Sequence, residues 1–509
     1  MFAASRPAPP QIDVIAALRA LSPRDADGAY RLGAQAMREH READALPILR
    51  DAVERHAHDA RLWQILGLSA RNLSDLRTAT AALQRARSLA PRDLLIAHGA
   101  ARARLEAGLP AVEDFCRCRL LAPSEGTIIQ GLAAARFAEN DAPGAIAEIE
   151  TVLRQQPLWL DGHATLARLR RMTGQEDDLR SYREALARTP AAAGLWHAWL
   201  ATLTLAERFD EMPAVIAAAR ARIGDSDALC LSEAIAADET GDTARAAAYF
   251  DRVAPPAEPS DVVWRVRWLI RGQRMGEAAA LASEGTRMSG GAILWPYAAL
   301  AWRILGDPRS QWLEGNPGFV RVYDLGATAG DLELLAQRLR TLHIATDRPL
   351  DQSVRGGTQT DGPLLSRIDP EIERLRDAVR GAVDDYVAAL PPVDPAHPLL
   401  AARRTAIRLA GSWSVRLTGG GNHADHVHPY GWISSAFYVG VPDAAGGGAG
   451  CLTLGACSAL APALAPFREI APAPGRLVLF PSTMWHGTRL FPKGERLTVA
   501  VDVARLTAA

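Results

Sequence analysis

A disulfide framework is the first thing this sequence lacks. Its 509 residues hold five cysteines, Cys116, Cys118, Cys230, Cys451 and Cys457, too few and too irregularly spaced to staple a fold. Cys116-Arg-Cys118 lies in a stretch that reads as helix and has no second ligand pair, so no zinc site is expected there and the thiols are expected to be reduced. Charge of one sign is missing as well. Lys and Arg total 57 against 58 Asp and Glu, a net charge of -1, which gives no general electrostatic reason to bind nucleic acid or an acidic membrane. No run approaches the roughly 20 uninterrupted apolar residues of a membrane span. The opening MFAASRPAPPQIDV has neither a basic start before an apolar run nor a small-residue cleavage pattern. A cytoplasmic location is the expectation.

What is present is a soluble globular balance, 48% hydrophobic and 23% charged, in a chain long enough for two or three domains. Residues 1–27 read as a Pro- and Ala-rich tail with one short amphipathic run, a capping helix. From 28 to 305 strand signals are almost absent, and Ala, Leu, Arg and Glu, good helix formers, dominate. Breaks recur at Pro91, Pro123, Pro157 and Pro190, with periods of 32, 34 and 33. The best copy carries Trp63, Leu66, Gly67, Ala70, Ala79, Leu83, Ala86 and Pro91, spacings that resemble the tetratricopeptide pattern. About seven helix pairs are expected up to roughly residue 285, the period loosening after 225. Such pairs stack into a superhelix whose inner face commonly holds a peptide or protein segment; a scaffold role is equally compatible with the repeats. Trp196, Trp199, Trp264 and Trp268 fit core positions of further copies.

Beyond 305 the text changes. A helix near 330–342, a loop at 350–363 whose Arg355 and Gln359 suit the mouth of a site, and a long helix near 369–390 lead into strands: TAIRLAGSWSVRL, WISSAFYVGV, RLVLFP and RLTVAVDV. Short strands parted by Gly/Pro-rich turns predict a jelly-roll sandwich over 306–509 with helices on one outer face. GGGAG at 446–450 is not followed by the strand-to-helix context of a phosphate cradle and reads as flexible loop.

Three histidines stand out in that region. His426 and His428 are two apart, so an extended backbone points them the same way, and His486 follows another strand. Together they can hold one metal ion, since imidazole suits iron, zinc, copper and nickel. The run from Arg496 to Val503 alternates, with Leu497, Val499, Val501 and Val503 on one face and Arg496, Thr498, Ala500 and Asp502 on the other. Arg496 and Thr498 therefore point together, a guanidinium and a hydroxyl able to hold a carboxylate.

His486 followed by Arg496-x-Thr498, preceded by GRLVLFPS and by an H-x-H-P-x-x-W-x-S-S segment, resembles the 2-oxoglutarate/Fe(II)-dependent oxygenases of the double-stranded β-helix fold, in the group often fused to tetratricopeptide repeats. The likeness spans roughly 305–509 and is strongest at 411–440 and 475–503. It implies that His426, His428 and His486 bind Fe(II), that Arg496 and Thr498 hold the distal carboxylate of 2-oxoglutarate, and that Tyr438 contacts it. It also implies a dioxygenase ending in hydroxylation, and the helical array suggests a peptide or protein substrate delivered across its concave face. Many such oxygenases spell their ligands H-x-D/E…H, and His423-Ala-Asp425 matches that spelling. Its parity in a regular strand is opposite to that of His426 and His428. The latter pair takes the position before the Trp-x-Ser-Ser strand and is preferred, with Asp425 then orienting a ligand imidazole. Two other readings stay open: a non-catalytic repeat adaptor with a structural β-domain, and a cupin-like metalloenzyme without a keto acid, for which Arg496 would have no anion. Tyr438 and Trp432 also have a plain reading as core.

Overall fold

The computed structural model describes residues 13–350, 352–401, 407–428, 430–442 and 448–505; residues 1–12 of the expected tail, Pro429 and the first glycines of GGGAG lie outside the described residues. The chain forms two compact units, one holding residues up to Gly131 with Ser366–Ile368, the other Leu132–Leu365 and Asp369–Arg505. Among the described residues no helix is long and apolar enough to cross a membrane.

Helices fill the first three fifths of the chain in tetratricopeptide-like pairs. The first helix of each pair starts at Ala26, Ala60, Leu94, Gly126, Leu160, Ala193, Asp227 and Pro259, so eight pairs are present among the described residues, one more than the seven expected. The period holds past residue 225, where the sequence text loosens. There the helix at Asp227 is opened by Ser226, whose hydroxyl accepts from the Leu229 N–H, and the proline that marks earlier repeats is absent.

Two local devices recur. Aspartates cap many of the helices, Asp25, Asp59, Asp75, Asp93, Asp141 and Asp242 each accepting a backbone N–H of the first turn, which satisfies donors the helix itself leaves open. The fourth residue of three first helices reaches back to the preceding turn: Trp63, His163 and Trp196 donate a ring N–H to the carbonyls of Ala57, Pro157 and Pro190 at 3.1, 3.0 and 2.9 Å.

In the first unit, small residues let paired helices close on Leu62, Leu66, Leu83 and Leu49; a Cβ on Gly67 would meet Leu83 Cγ at 2.6 Å. Ile368 N–H donates to Ala107 O, and Arg77 to Ile368 O.

The second unit continues the pairs and ends in strands β1 (Arg321–Asp324), β2 (Val354–Gln359), β3 (Ile407–His423), β4 (Ile433–Gly440), β5 (Leu452–Leu454), β6 (Arg468–Ile470), β7 (Arg476–Pro481), β8 (His486–Thr488) and β9 (Glu495–Arg505). They make two antiparallel sheets, ordered β1-β7-β4-β9-β3-β2 and β6-β5-β8. The segment expected as a loop at 350–363 contributes β2, paired along β3 with a bulge at Gly356, whose φ is +68°. Glycine content misled the reading: here it allows close approach, since a Cβ on Gly356 would sit 3.0 Å from Gly421 Cα.

Leu497, Val499, Val501 and Val503 of β9 are buried with Leu477 and Leu479 of β7 and with Leu335, Leu339, Leu375, Val379, Val383 and Tyr386 of the helices Leu332–Leu342 and Pro370–Ala388. That leaves the opposite face of β9 free to build a site. The late repeat helices are fixed to this β-domain within the same unit. Trp485 Nε1 donates to Pro296 O at 3.0 Å, Arg303 donates to Gly455 O, and Arg355 pairs with Glu207. Arg355 is thus spent on the array, and buried Gln359 does not line the cavity described next.

Candidate metal centre and anion cradle

The register of the large sheet explains which side chains meet. Thr498 lies between Val415 of β3 and Tyr438 of β4, Ala500 opposite Trp413, and Asp502 opposite Ser434. Alternation along β9 therefore sends Arg496, Thr498, Ala500 and Asp502 to one face, and the first three line a cavity with Trp413, Val415, Phe480, Leu452 and four histidines. The cavity is narrow, about 40 Å³.

His426, His428 and His486 converge there, their ligand atoms all within 4.8 Å of one another. Backbone pairing sets this up. His426 and His486 exchange both N–H···O=C bonds at 2.9 Å, so their rings stand side by side with centroids 4.2 Å apart. The His428 ring is 5.1 and 4.9 Å from these two.

Each of the three also has its Nδ1 engaged by an acceptor: Ala424 O at 2.8 Å for His426, Met484 O at 3.0 Å for His486, and the Asp502 carboxylate at 2.6 Å for His428. An Nδ1–H that donates fixes the tautomer and leaves Nε2 as a lone-pair donor. Burial first, and then the neighbouring imidazoles, hold His486 well below its ordinary pKa and bring His426 down to about 3. Neutral rings are what a metal needs. Three convergent imidazoles with Nε2 left open fit a divalent ion such as Fe(II).

The carboxylate that orients a ring is Asp502, with help from Ser434, whose hydroxyl donates to Asp502 Oδ1 at 2.8 Å. The expected candidate, Asp425, is instead bound by the Ser458 N–H and hydroxyl at 2.8 and 2.6 Å. It ties the histidine loop to the segment beyond β5. Gly487 is pressed against it; a Cβ there would fall 2.4 Å from Asp425 Oδ1.

The parity argument that separated the two ligand spellings also fails. β3 ends at His423 and the chain then leaves the strand, so His423 lines the same cavity as His426 and His428. Its Nδ1 is 3.0 Å from Ser353 Oγ, a hydroxyl that can donate or accept, so its tautomer is not set as the others are. Burial, then His426, pushes its pKa well down.

Arg496, which lines the same cavity, is 2% exposed. Among the described residues no acid pairs with it. Its guanidinium lies 5.0 Å from the Tyr438 ring centroid, one nitrogen reaches the Tyr438 hydroxyl at 3.5 Å, and Nε has no partner. Thr498 is 4% exposed beside it. A buried guanidinium with open N–H groups and a neighbouring hydroxyl fits a carboxylate, since an uncompensated buried charge is costly by several kcal/mol. Tyr438 touches Arg496 but does not line the cavity, and its hydroxyl pKa is raised by burial against the pull of Arg496. Trp432 belongs to the core, its ring N–H donating to Leu399 O at 2.8 Å. Sequence reasoning missed Ser434, Trp413 and the use of Asp502; only Asp502 had a signal, its shared face with Arg496.

No curated protein matches the chain significantly. Solved structures resembling the helical region include MamA from Desulfovibrio magneticus RS-1 (15% identity over 33% of this chain and 95% of that one, TM-score 0.29). A tetratricopeptide repeat protein from Parabacteroides merdae ATCC 43184 is similar at 15% identity over 45% and 92%, TM-score 0.30. YrrB, described as a TPR protein with an unusual peptide-binding site, is similar at 14% over 37% and 97%, TM-score 0.30. The stretch 411–502, which contains the four histidines, Arg496, Thr498 and Asp502, matches the family described as "Putative 2OG-Fe(II) oxygenase".

Proposed function

We propose that the β-domain is a 2-oxoglutarate- and Fe(II)-dependent dioxygenase that hydroxylates a side chain of a peptide or protein recruited by the helical repeats. The observation that carries this is the pairing, in one cavity, of three tautomer-fixed imidazoles with a buried guanidinium that has no acid of its own. In this reading His426, His428 and His486 hold the iron through Nε2. Arg496 and Thr498 hold the far carboxylate of 2-oxoglutarate, with Tyr438 keeping the guanidinium in place. Iron and keto acid, when bound, would supply C–H hydroxylation with dioxygen as the oxidant, the keto acid giving up two electrons as it becomes succinate and carbon dioxide. Asp502 and Ser434 keep the His428 ring turned and its Nδ1 proton in place, while Trp413, Leu452 and Phe480 keep water from the reacting end. The cavity is tight, so keto-acid binding is expected to move these walls.

Three neutral ligands leave more positive charge on the site than a carboxylate triad would, which favours a dianionic co-substrate and weakens metal retention. The peptide reading draws support from a largely apolar trough of about 700 Å³ in the same unit as the site. Its walls come from three successive first helices, through residues such as Leu200, Leu231 and Trp264. Incubation under air with Fe(II), ascorbate and 2-oxoglutarate tests the reading: succinate forms above the iron-free blank. Succinate at the blank level would contradict it.

A further inference from the structure

Away from that site, the second unit holds a polar cavity of about 200 Å³ between the helices Ala142–Gln155, Leu160–Met172 and Arg180–Arg188. Arg154, Arg170, Arg180 and Arg188 line it against only two acids, Glu150 and Glu184. The side chain of Arg170 is 2% exposed. One of its nitrogens, Nη2, donates to Glu150 Oε1 at 2.7 Å, an oxygen it shares with Arg180 at 2.9 Å. The other two, Nε and Nη1, have no partner. Three N–H groups of a permanently charged side chain that lines the cavity are thus unpaired, a cost that an acceptor bound there would remove.

The neighbours do not meet that need. His163 donates through Nε2 to Pro157 O, so it carries no proton on Nδ1 while neutral, and that nitrogen accepts from Ser181 Oγ at 2.9 Å. Arg154 and Arg188 spend one N–H each on Thr151 Oγ1 and Glu184 O. What fits is a compact ligand with several acceptor oxygens and two negative charges, matching the two-charge excess of arginine over glutamate.

We propose that this cavity binds a phosphate dianion, free or carried as a phosphomonoester. Arg170 is its buried anchor and Arg180 the second donor, and the other two arginines form the rim. Guanidinium groups match phosphate oxygens in geometry as well as charge.

Calorimetric titration of the full chain with inorganic phosphate, at ionic strength matched with chloride, tests this. Saturable binding is expected, at least tenfold weaker in Arg170→Met and at least threefold weaker in Arg180→Gln. The second variant alters a half-exposed side chain and carries the test if the first does not fold. Arg496→Gln, which removes a buried guanidinium with an open N–H in a different cavity, is expected to bind phosphate as wild type does. A parallel titration with N-acetyl-phosphoserine amide distinguishes the source: tighter binding than phosphate assigns a peptide-borne group, equal or weaker binding a free anion, and both support the site. No saturable heat with wild type, binding unchanged in Arg180→Gln, or binding lost in Arg496→Gln would each overturn it.

Discussion

Arg496 is buried and has no acid beside it among the described residues, so in the proposed reading the grip on the keto acid is concentrated in one side chain. Replacing it by Met should weaken 2-oxoglutarate binding by about 30-fold or more, the scale of a buried charge pair at 2–4 kcal/mol. Iron affinity should stay within about threefold, which a titration with each ligand separately measures. Asp502→Asn keeps the shape but gives up the charge that steadies His428, and should lower iron affinity by about 10–100-fold. Gly487→Ala drives a methyl into Asp425 and so displaces the histidine loop; a loss of iron affinity of similar size is expected in the same titration. Much of this was legible in the chain itself. Strict alternation from Arg496 to Val503 placed the guanidinium, the hydroxyl and Asp502 on one face. The role of Asp502 was not legible, because its partner His428 lies 74 residues earlier and only the folded register joins them. Asp425 misled for the opposite reason: adjacency in sequence suggested a partnership, but its Oδ2 is held by Ser458 and the three imidazoles turn Nδ1 to other acceptors.

Each helix pair turns through a left-handed residue, and these recur with the repeat: His40, Ser74, Gly108, Asn140, Gly174, Glu207, Gly241 and Gln273. Glycine takes that conformation freely, whereas other residues pay for it with a clash at Cβ. Ser74→Gly and Gln273→Gly should each therefore stabilise the chain by about 0.5–1 kcal/mol, measured by denaturant unfolding. The proline period made the repeats readable, but these turns were not, since the residue type varies while the backbone angle does not. A second element carries a pH dependence. Glu314, at the end of the short helix Arg309–Glu314, is 7% exposed, and burial pushes its pKa up to about 7 against the opposing pull of Arg303. The folded state then holds this proton more tightly than the unfolded one. Its contribution is fully present below the ordinary value of 4.5 and is lost as pH rises through 7. Glu314→Gln should gain up to about 3 kcal/mol over wild type at pH 8 and almost nothing at pH 4.5, as paired denaturant curves at the two pH values would show.

At the scale of the molecule, the second unit combines late repeats and oxygenase-like sheet through buried contacts such as Trp485 to Pro296. The trough on those repeats and the histidine cluster therefore belong to one unit. Leu205, 63% exposed at the trough wall, offers a substitution that spares the core: Leu205→Asp should raise KM for a polypeptide substrate about five- to tenfold and leave iron and keto-acid binding unchanged. The helical-repeat region and the β-domain were legible from the switch in period and composition. The count of helix pairs fell one short because Ser226, and not a proline break, opens the seventh pair at Asp227, and the strand at Val354–Gln359 was not legible because glycine-rich pairing mimics loop text. The central claim is that imidazoles from separate strands share one iron while a guanidinium grips its keto acid. Anaerobic titration of the full chain with Fe(II) and 2-oxoglutarate tests it most directly. A visible metal-to-ligand charge-transfer band should grow to saturation in wild type and be absent in His486→Ala. No band in wild type, or an undiminished band in His486→Ala, would contradict the account.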